Sequence, residues 1–228
     1  MMISVIVACG GSSTRMGGVN KLLLELEGMT VCERTIRAFC DIEGVSEIII
    51  TCSESFKEEI FSKLTEEIPV SLKFAPNGST RQKSVENGIG VCDENNSLVC
   101  IHDGARPLVL NETIEKAISD AREYKASVVC VPCKDTVKVS DSNGNVKETP
   151  PRESLYLTQT PQIFDLSMYK EALEFANKNG LDFTDDSQLF EAVGIMPHIT
   201  VGDYSNIKIT TPEDIIIAKQ ILNSRKEK

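Results

Sequence analysis

Short apolar runs alternate with amphipathic stretches along most of this chain, and that alternation constrains its fold more than any other feature. Residues 2–8, 45–52, 70–75, 97–101 and 127–131 are apolar and rich in Val and Ile. Residues 30–40, 54–64, 81–91 and 111–124 carry apolar positions at helical spacing, and Asn111 is the expected cap of the last of these. Strands that are apolar on both faces and separated by helices imply a parallel sheet covered on both sides, an α/β architecture. The pattern breaks at residues 135–157, where polar and apolar residues alternate around Ser142-Asn143-Gly144-Asn145. Asn-Gly favours the positive φ angles of a hairpin turn. So few core-like residues predict a projecting β-arm, and an exposed two-stranded ribbon is marginal alone, which predicts that it packs on a second subunit. Helices near 166–177 and 185–193, extended stretches near Ile199 and over 206–210, and a final helix opening on Thr211-Pro212-Glu213-Asp214 complete the pattern. No linker or repeat divides the 228 residues, which read as one domain, 1–228, with the arm inserted at about 134–157.

Composition excludes several functions. The formal net charge of −10 argues against a nonspecific nucleic-acid binder, which needs a basic face. A few cations focused in one cleft still suit a small anionic ligand. No apolar run is long enough to span a bilayer, and the first strand has no basic stretch before it, so no membrane association is expected and the cytoplasm is the expected compartment. The eight cysteines lie largely within apolar runs and are expected to be free thiols. Cys130-Val131-Pro132-Cys133 closes a strand and does not open a helix, so a structural role is expected there and not a redox one.

Three loops carry the candidate chemistry. Cys9-Gly10-Gly11-Ser12-Ser13-Thr14-Arg15 and the residues on to Lys21 follow the first strand, where ligands of open α/β sheets bind. Small residues there admit backbone N–H groups to a phosphate chain, with Arg15 and Lys21 as cations. A flexible surface loop with two solvated cations fits the same residues equally well. Neither a P-loop nor GxGxxG is present, and the missing glycine pattern speaks against a nicotinamide-dependent oxidoreductase. Asn77-Gly78-Ser79-Thr80-Arg81 opens a helix with Ser79 or Thr80 as cap, and alone reads as an ordinary capped start. His102-Asp103-Gly104-Ala105-Arg106-Pro107 ends the fourth strand. Asp103 there suits Mg²⁺ or a ribose hydroxyl, and equally a structural ion pair with Arg106. His102 reads as a core side chain.

Taken together and in order, these loops resemble the 2-C-methyl-D-erythritol 4-phosphate cytidylyltransferase family of non-mevalonate isoprenoid biosynthesis. The likeness extends through Lys134-Asp135-Thr136-Val137-Lys138, Pro151-Arg152, Gln159-Thr160-Pro161-Gln162, Phe183-Thr184-Asp185-Asp186 and Asn206-Ile207-Lys208-Ile209-Thr210. It implies a Rossmann-like fold, a homodimer clasped by the arm, and Mg²⁺-CTP as the donor, with Asp103 as a metal ligand alongside the CTP phosphates. Arg15, Lys21, Lys208 and Arg152 are the implied catalytic residues. Gly10, Gly11, Ser12, Gly78, Arg81, Ser84 and Asp103 would hold the nucleotide. Asp103, Arg106, Thr136, Arg152, Thr160, Thr184 and Lys208 would hold the acceptor, with Arg152 and Thr184 coming from the second subunit. The chain departs from the family at Cys9 and Gly10 in place of two Ala, at Ser13 in place of Gly, and at Tyr156 in place of a frequent Trp. Ribitol 5-phosphate is the nearest rival acceptor. A nucleotide-binding regulatory module without turnover would have no need of Arg15, Lys21, Asp103 and Lys208 together.

Overall fold

A computed structural model describes residues 2–10 and 20–226. Seven strands form one twisted sheet: β1 (Ile3–Ala8), β4 (Val45–Cys52), β5 (Ser71–Pro76), β6 (Leu98–Asp103), β7 (Ala126–Pro132), β10 (Tyr156–Asp165) and β11 (His198–Val201). Their order is β11-β7-β10-β6-β1-β4-β5. All neighbours run parallel except β10, which is antiparallel to both β6 and β7.

Side chains alternate across the sheet at the period of a strand. Ile3, Val5 and Val7 meet one helical layer, made of α1 (Val31–Arg37), α2 (Glu54–Lys63), α4 (Asn111–Tyr124) and α7 (Pro212–Lys226). Ile6, Ile49 and Ile101 meet the other, made of α3 (Arg81–Ile89), α5 (Leu166–Lys178) and α6 (Ser187–Ala192). The mostly parallel, doubly covered sheet is the expected Rossmann-like α/β fold.

Helix starts follow their caps. Thr30, Ser53, Thr80 and Asp165 each accept a backbone N–H within the first turn of α1, α2, α3 and α5. At α7 the Asp214 carboxylate accepts the N–H groups of Thr210 and Thr211, with Pro212 at the first helical position. Asn111 is not a cap: Leu110 holds that position without a side-chain bond, and Asn111 is already helical. Residues 206–210 form no sheet pairing among the described residues. They are tied to the body by the Ile209 N–H donating to the Ala105 carbonyl at 2.8 Å.

Residues 133–155 leave the sheet after β7 and return as β10. Two short strands, β8 (Val139–Ser140) and β9 (Val146–Glu148), pair antiparallel with each other and stay exposed. Their turn is longer than a two-residue Asn-Gly hairpin. Only Gly144 has positive φ (83°) there, and the Asp141 carboxylate closes the turn by accepting the Asn143 and Asn145 N–H groups. A two-residue hairpin turn does occur at Glu27-Gly28, both with positive φ, between β2 (Glu25–Leu26) and β3 (Met29–Thr30).

The amino end of the sheet is pinned by a buried carboxylate. Glu47 Oε1 accepts from Ser4 Oγ at 2.7 Å, the Asp93 N–H at 2.7 Å and Asn96 Nδ2 at 3.3 Å, while Lys73 pairs with Oε2. Burial raises its pKa, but the Lys73 bond, the Asp93 amide and Ser4 outweigh that and leave it lowered. A carboxylate with a depressed folded-state pKa contributes stability above its unfolded value, near 4.3, and loses it as pH falls through the folded value. Glu47→Gln is therefore expected to cost about 1.5–3 kcal/mol at pH 7 in urea unfolding. The gap to wild type should narrow below about pH 5; a gap independent of pH would remove the charge from the explanation.

Candidate active site

The chain runs β1, β4, β5 in one direction and then returns to place β6 on the other side of β1. That reversal opens a crevice at the carboxyl ends of β1 and β6, where Ala8 and Asp103 stand in register. Both candidate nucleotide loops reach this edge. A Cβ at Gly10 would lie 2.9 Å from Asn77 Oδ1 and 3.4 Å from Ser84 Oγ, so the start of the first loop touches the second. The Gly78 N–H donates to Ser84 Oγ at 3.0 Å, and Ser84 Oγ in turn donates to the Thr80 carbonyl at 2.9 Å.

Asp103, the last residue of β6, is the electrostatic centre. Lys208 Nζ lies 2.8 Å from Oδ2, Arg106 Nε 3.4 Å from Oδ2, and Arg81 Nε 3.8 Å from Oδ1. Burial pushes the Asp103 carboxyl up, but Lys208, Arg81 and Arg106 override it and hold the group well below the usual carboxylate range. It is ionised at any physiological pH. Arg81 also pairs with the buried Asp186, which accepts the Tyr169 hydroxyl at 2.9 Å. Burial lowers the Arg81 pKa, and Asp186 and Asp103 more than reverse this, so it stays charged. Arg106 Nη1 donates to the Asn206 carbonyl at 2.8 Å, joining the Lys208 segment to the end of β6.

These groups surround a cavity of about 220 Å³ whose wall includes Arg81, Asp103, Arg106, Thr160, Thr184 and Lys208. Its wall carries three cations, Arg81, Arg106 and Lys208, against two carboxylates, Asp103 and Asp185, a balance that favours an anion such as a phosphate. Lys21 opens a short 3-10 helix capped by Asn20, at the far end of the first loop. Gly11, Ser12 and Arg15 lie outside the described residues. Thr184, expected from a second subunit, lines the cavity of its own chain. Thr136 and Arg152 are exposed on the arm and neither lines the cavity; Arg152 Nη1 donates to the Lys134 carbonyl at 3.0 Å.

Sequence reasoning missed Asp186 as the partner of Arg81, and Tyr169 as the donor behind Asp186. A second acidic residue directly after Asp185, with no cation near it in the chain, was the available signal, since a buried charge needs a partner. His102 is the buried, satisfied side chain that was expected, with its ring nitrogens bonded to Arg106 and Thr160. Burial lowers its pKa to about 4, so the ring is neutral.

Cationic side chains gathered at the switch point of a Rossmann-like sheet, beside Gly10 and Gly78, stand where proteins of this fold bind nucleotides, and the known proteins that this chain resembles are nucleotidyltransferases. The model of the 2-C-methyl-D-erythritol 4-phosphate cytidylyltransferase family matches residues 2–224. The chain is 42% identical over 227 residues to the enzyme of that name from Caldanaerobacter subterraneus subsp. tengcongensis, covering 97% of this chain and 99% of the relative. It is 38% identical over 224 residues to the chloroplastic one of Oryza sativa subsp. japonica, covering 98% and 75%. The crystal structure of 4-diphosphocytidyl-2C-methyl-D-erythritol synthase from Anaerococcus prevotii superposes with a TM-score of 0.87 at 34% identity, over 97% of this chain and 96% of that one. The chain belongs to the 2-C-methyl-D-erythritol 4-phosphate cytidylyltransferase family.

Proposed function

We propose that the chain transfers CMP from CTP to 2-C-methyl-D-erythritol 4-phosphate, yielding 4-diphosphocytidyl-2-C-methyl-D-erythritol and pyrophosphate in non-mevalonate isoprenoid biosynthesis. The supporting observation is the convergence of Lys208, Arg106 and Arg81 on Asp103 in a chain that matches the family from end to end. An oxygen of the acceptor's phosphate monoester attacks the α-phosphorus of CTP. The bond from that phosphorus to the bridging oxygen breaks, and pyrophosphate leaves on the opposite side. The monoester's second pKa is near 6, so the nucleophile is already ionised at pH 7 and needs no general base.

The difficulty lies in bringing a dianion to a polyphosphate, which costs several kcal/mol at intermediate effective dielectric, on the order of 4 kcal/mol per charge pair at 4 Å. Arg15 and Lys21 are assigned to the CTP phosphates and Lys208 to the charge that builds up in transfer. Gly10, Gly11, Ser12, Gly78, Arg81 and Ser84 are assigned to the nucleotide. Asp103, Arg106, Thr160 and Thr184 are assigned to the acceptor. The described residues contain no group of three or more His, Cys, Asp or Glu able to hold a metal, and both oxygens of Asp103 face cations. These residues do not fit a metal held by the protein alone; Mg²⁺ belongs with the nucleotide's phosphates, its usual seat.

The same proposal makes the whole chain one nucleotidyltransferase domain acting in the cytoplasm; no helix among the described residues is long and apolar enough to cross a membrane. The exposed arm is assigned to a homodimer, in which Thr136 and Arg152 reach the cavity of the second copy. Light scattering at micromolar concentration should give twice the 25.1 kDa chain mass; a mass of one chain would remove the dimer.

Pyrophosphate release from Mg²⁺-CTP tests the reaction, with 2-C-methyl-D-erythritol 4-phosphate, ribitol 5-phosphate or no acceptor in parallel. Release with the methylerythritol phosphate alone is expected. Release with ribitol phosphate alone would keep the mechanism and change the pathway.

A further inference from the structure

We infer that His102 is a positioning residue for the transfer, holding Thr160, Asp103 and Arg106 in the geometry that receives the acceptor. The inference rests on the proposed roles of those three residues and extends them to a side chain that touches none of the reacting atoms. His102 is fully buried in β6, one residue before Asp103. Its ring stands edge-on to Phe39 of the opposite layer, with centroids 5.0 Å apart at 67°.

Both ring nitrogens are used. Nε2 lies 3.0 Å from the Arg106 carbonyl, which only accepts, so Nε2 carries the proton. Nδ1 of the neutral ring is then an acceptor and takes the Thr160 hydroxyl proton at 3.0 Å. That leaves a lone pair of Thr160 Oγ1 for the Asp103 N–H, 3.0 Å away. One imidazole thus fixes the rotor of a cavity hydroxyl, the backbone at the cavity carboxylate and the carbonyl of the cavity arginine. A histidine serving the core alone needs partners for its nitrogens, but those partners need not belong to three cavity residues on two antiparallel strands and a turn.

Three variants separate the roles. His102→Phe keeps a ring against Phe39 and removes both nitrogens. His102→Asn keeps an acceptor near the Nδ1 position, and His102→Gln keeps a donor near Nε2. Steady-state kinetics for each substrate and exchange of the Asp103 amide by NMR are the readouts. In His102→Phe, kcat should fall by about tenfold or more and the acceptor KM should rise. The CTP KM should stay within about twofold, and the Asp103 amide should exchange faster. Asn should restore amide protection and most of the acceptor KM, whereas Gln should restore neither.

A folded His102→Phe with kcat and both KM values at wild-type level would overturn the inference. If Phe does not fold, the same result in both Asn and Gln would overturn it. Unchanged protection of the Asp103 amide overturns it whatever acceptor the enzyme takes. Failure of the wild-type protein to turn over would instead sink the functional reading, with the exchange data still deciding the role of His102.

Discussion

Lys208→Ala is expected to lower kcat by about 10²–10³ while leaving thermal stability within about 1 kcal/mol of wild type. The Lys208 side chain is 42% exposed, and its partner Asp103 keeps Arg106 and Arg81 when it is gone. An ion pair this open contributes little to folding, since solvent screens it and the lysine gives up rotamer freedom to make it. In the reaction the balance differs. The same ammonium sits in the wall of the cavity to which the proposed function assigns the transfer, and any charge it stabilises in the transition state counts directly in the rate. The variant should therefore separate kcat, from a pyrophosphate assay, from Tm, from a thermal melt. A stable variant with near-wild-type kcat would remove Lys208 from the catalytic set.

Gly78→Ala should have the second large effect, a rise in the KM for CTP of about tenfold to a hundredfold. A Cβ at this position would lie 2.4 Å from Lys83 Cβ, 2.5 Å from the Lys83 carbonyl carbon and 2.8 Å from the Ser84 N. Two of those atoms are backbone in the first turn of α3, so they cannot swing aside as a flexible side chain could. The loop must move outward, breaking the Gly78 N–H bond to Ser84 Oγ. Both groups are assigned to the nucleotide, so the displacement appears in CTP affinity. The acceptor KM should stay near wild type, because the acceptor side of the cavity is anchored by β6 and Thr160. A KM for CTP within twofold of wild type would mean that the second loop does not hold the nucleotide.

The buried strands were legible because they are covered on both faces, which leaves an apolar run that only a doubly wound sheet explains. β10 was not. It crosses the sheet between β6 and β7, yet carries Thr158, Gln159, Thr160, Pro161 and Gln162 where a buried strand would carry Val or Ile. Proline cannot donate to a ladder, so it reads as a strand breaker. The structure resolves the conflict with a shift of register between Thr158 and Gln162, leaving Pro161 outside the pairing with β7. These residues are polar because Thr158, Gln159, Thr160 and Gln162 line the cavity, and functional demands override local pattern there.

The site divides in the same way. Arg81, Asp103, Arg106 and Lys208 were recognisable by type and by family order, and the Asp103–Arg106 pair by its spacing, but the arrival of Arg81 and Lys208 at Asp103 was not. Arg81 and Lys208 come together only because β6 returns beside β1 and because Ile209 hangs on the Ala105 carbonyl. No spacing within the chain encodes either event. The bond from His102 to Thr160 was hidden for a related reason, since it depends on the partner strand that was missed.

The arm leaves from β7 and returns as β10, and those two strands are antiparallel neighbours. In topological terms, residues 133–155 are an overgrown hairpin loop. The entropy of closing such a loop rises only with the logarithm of its length, about 0.6 kcal/mol for each doubling. The sheet therefore bears this appendage at little thermodynamic cost, and its folding places almost no demand on what the arm contains. What the arm contains is therefore set by the work proposed for Thr136 and Arg152 at its base and not by the sheet, which leaves the turn at its exposed tip, closed by Asp141, as the part best placed to change in length.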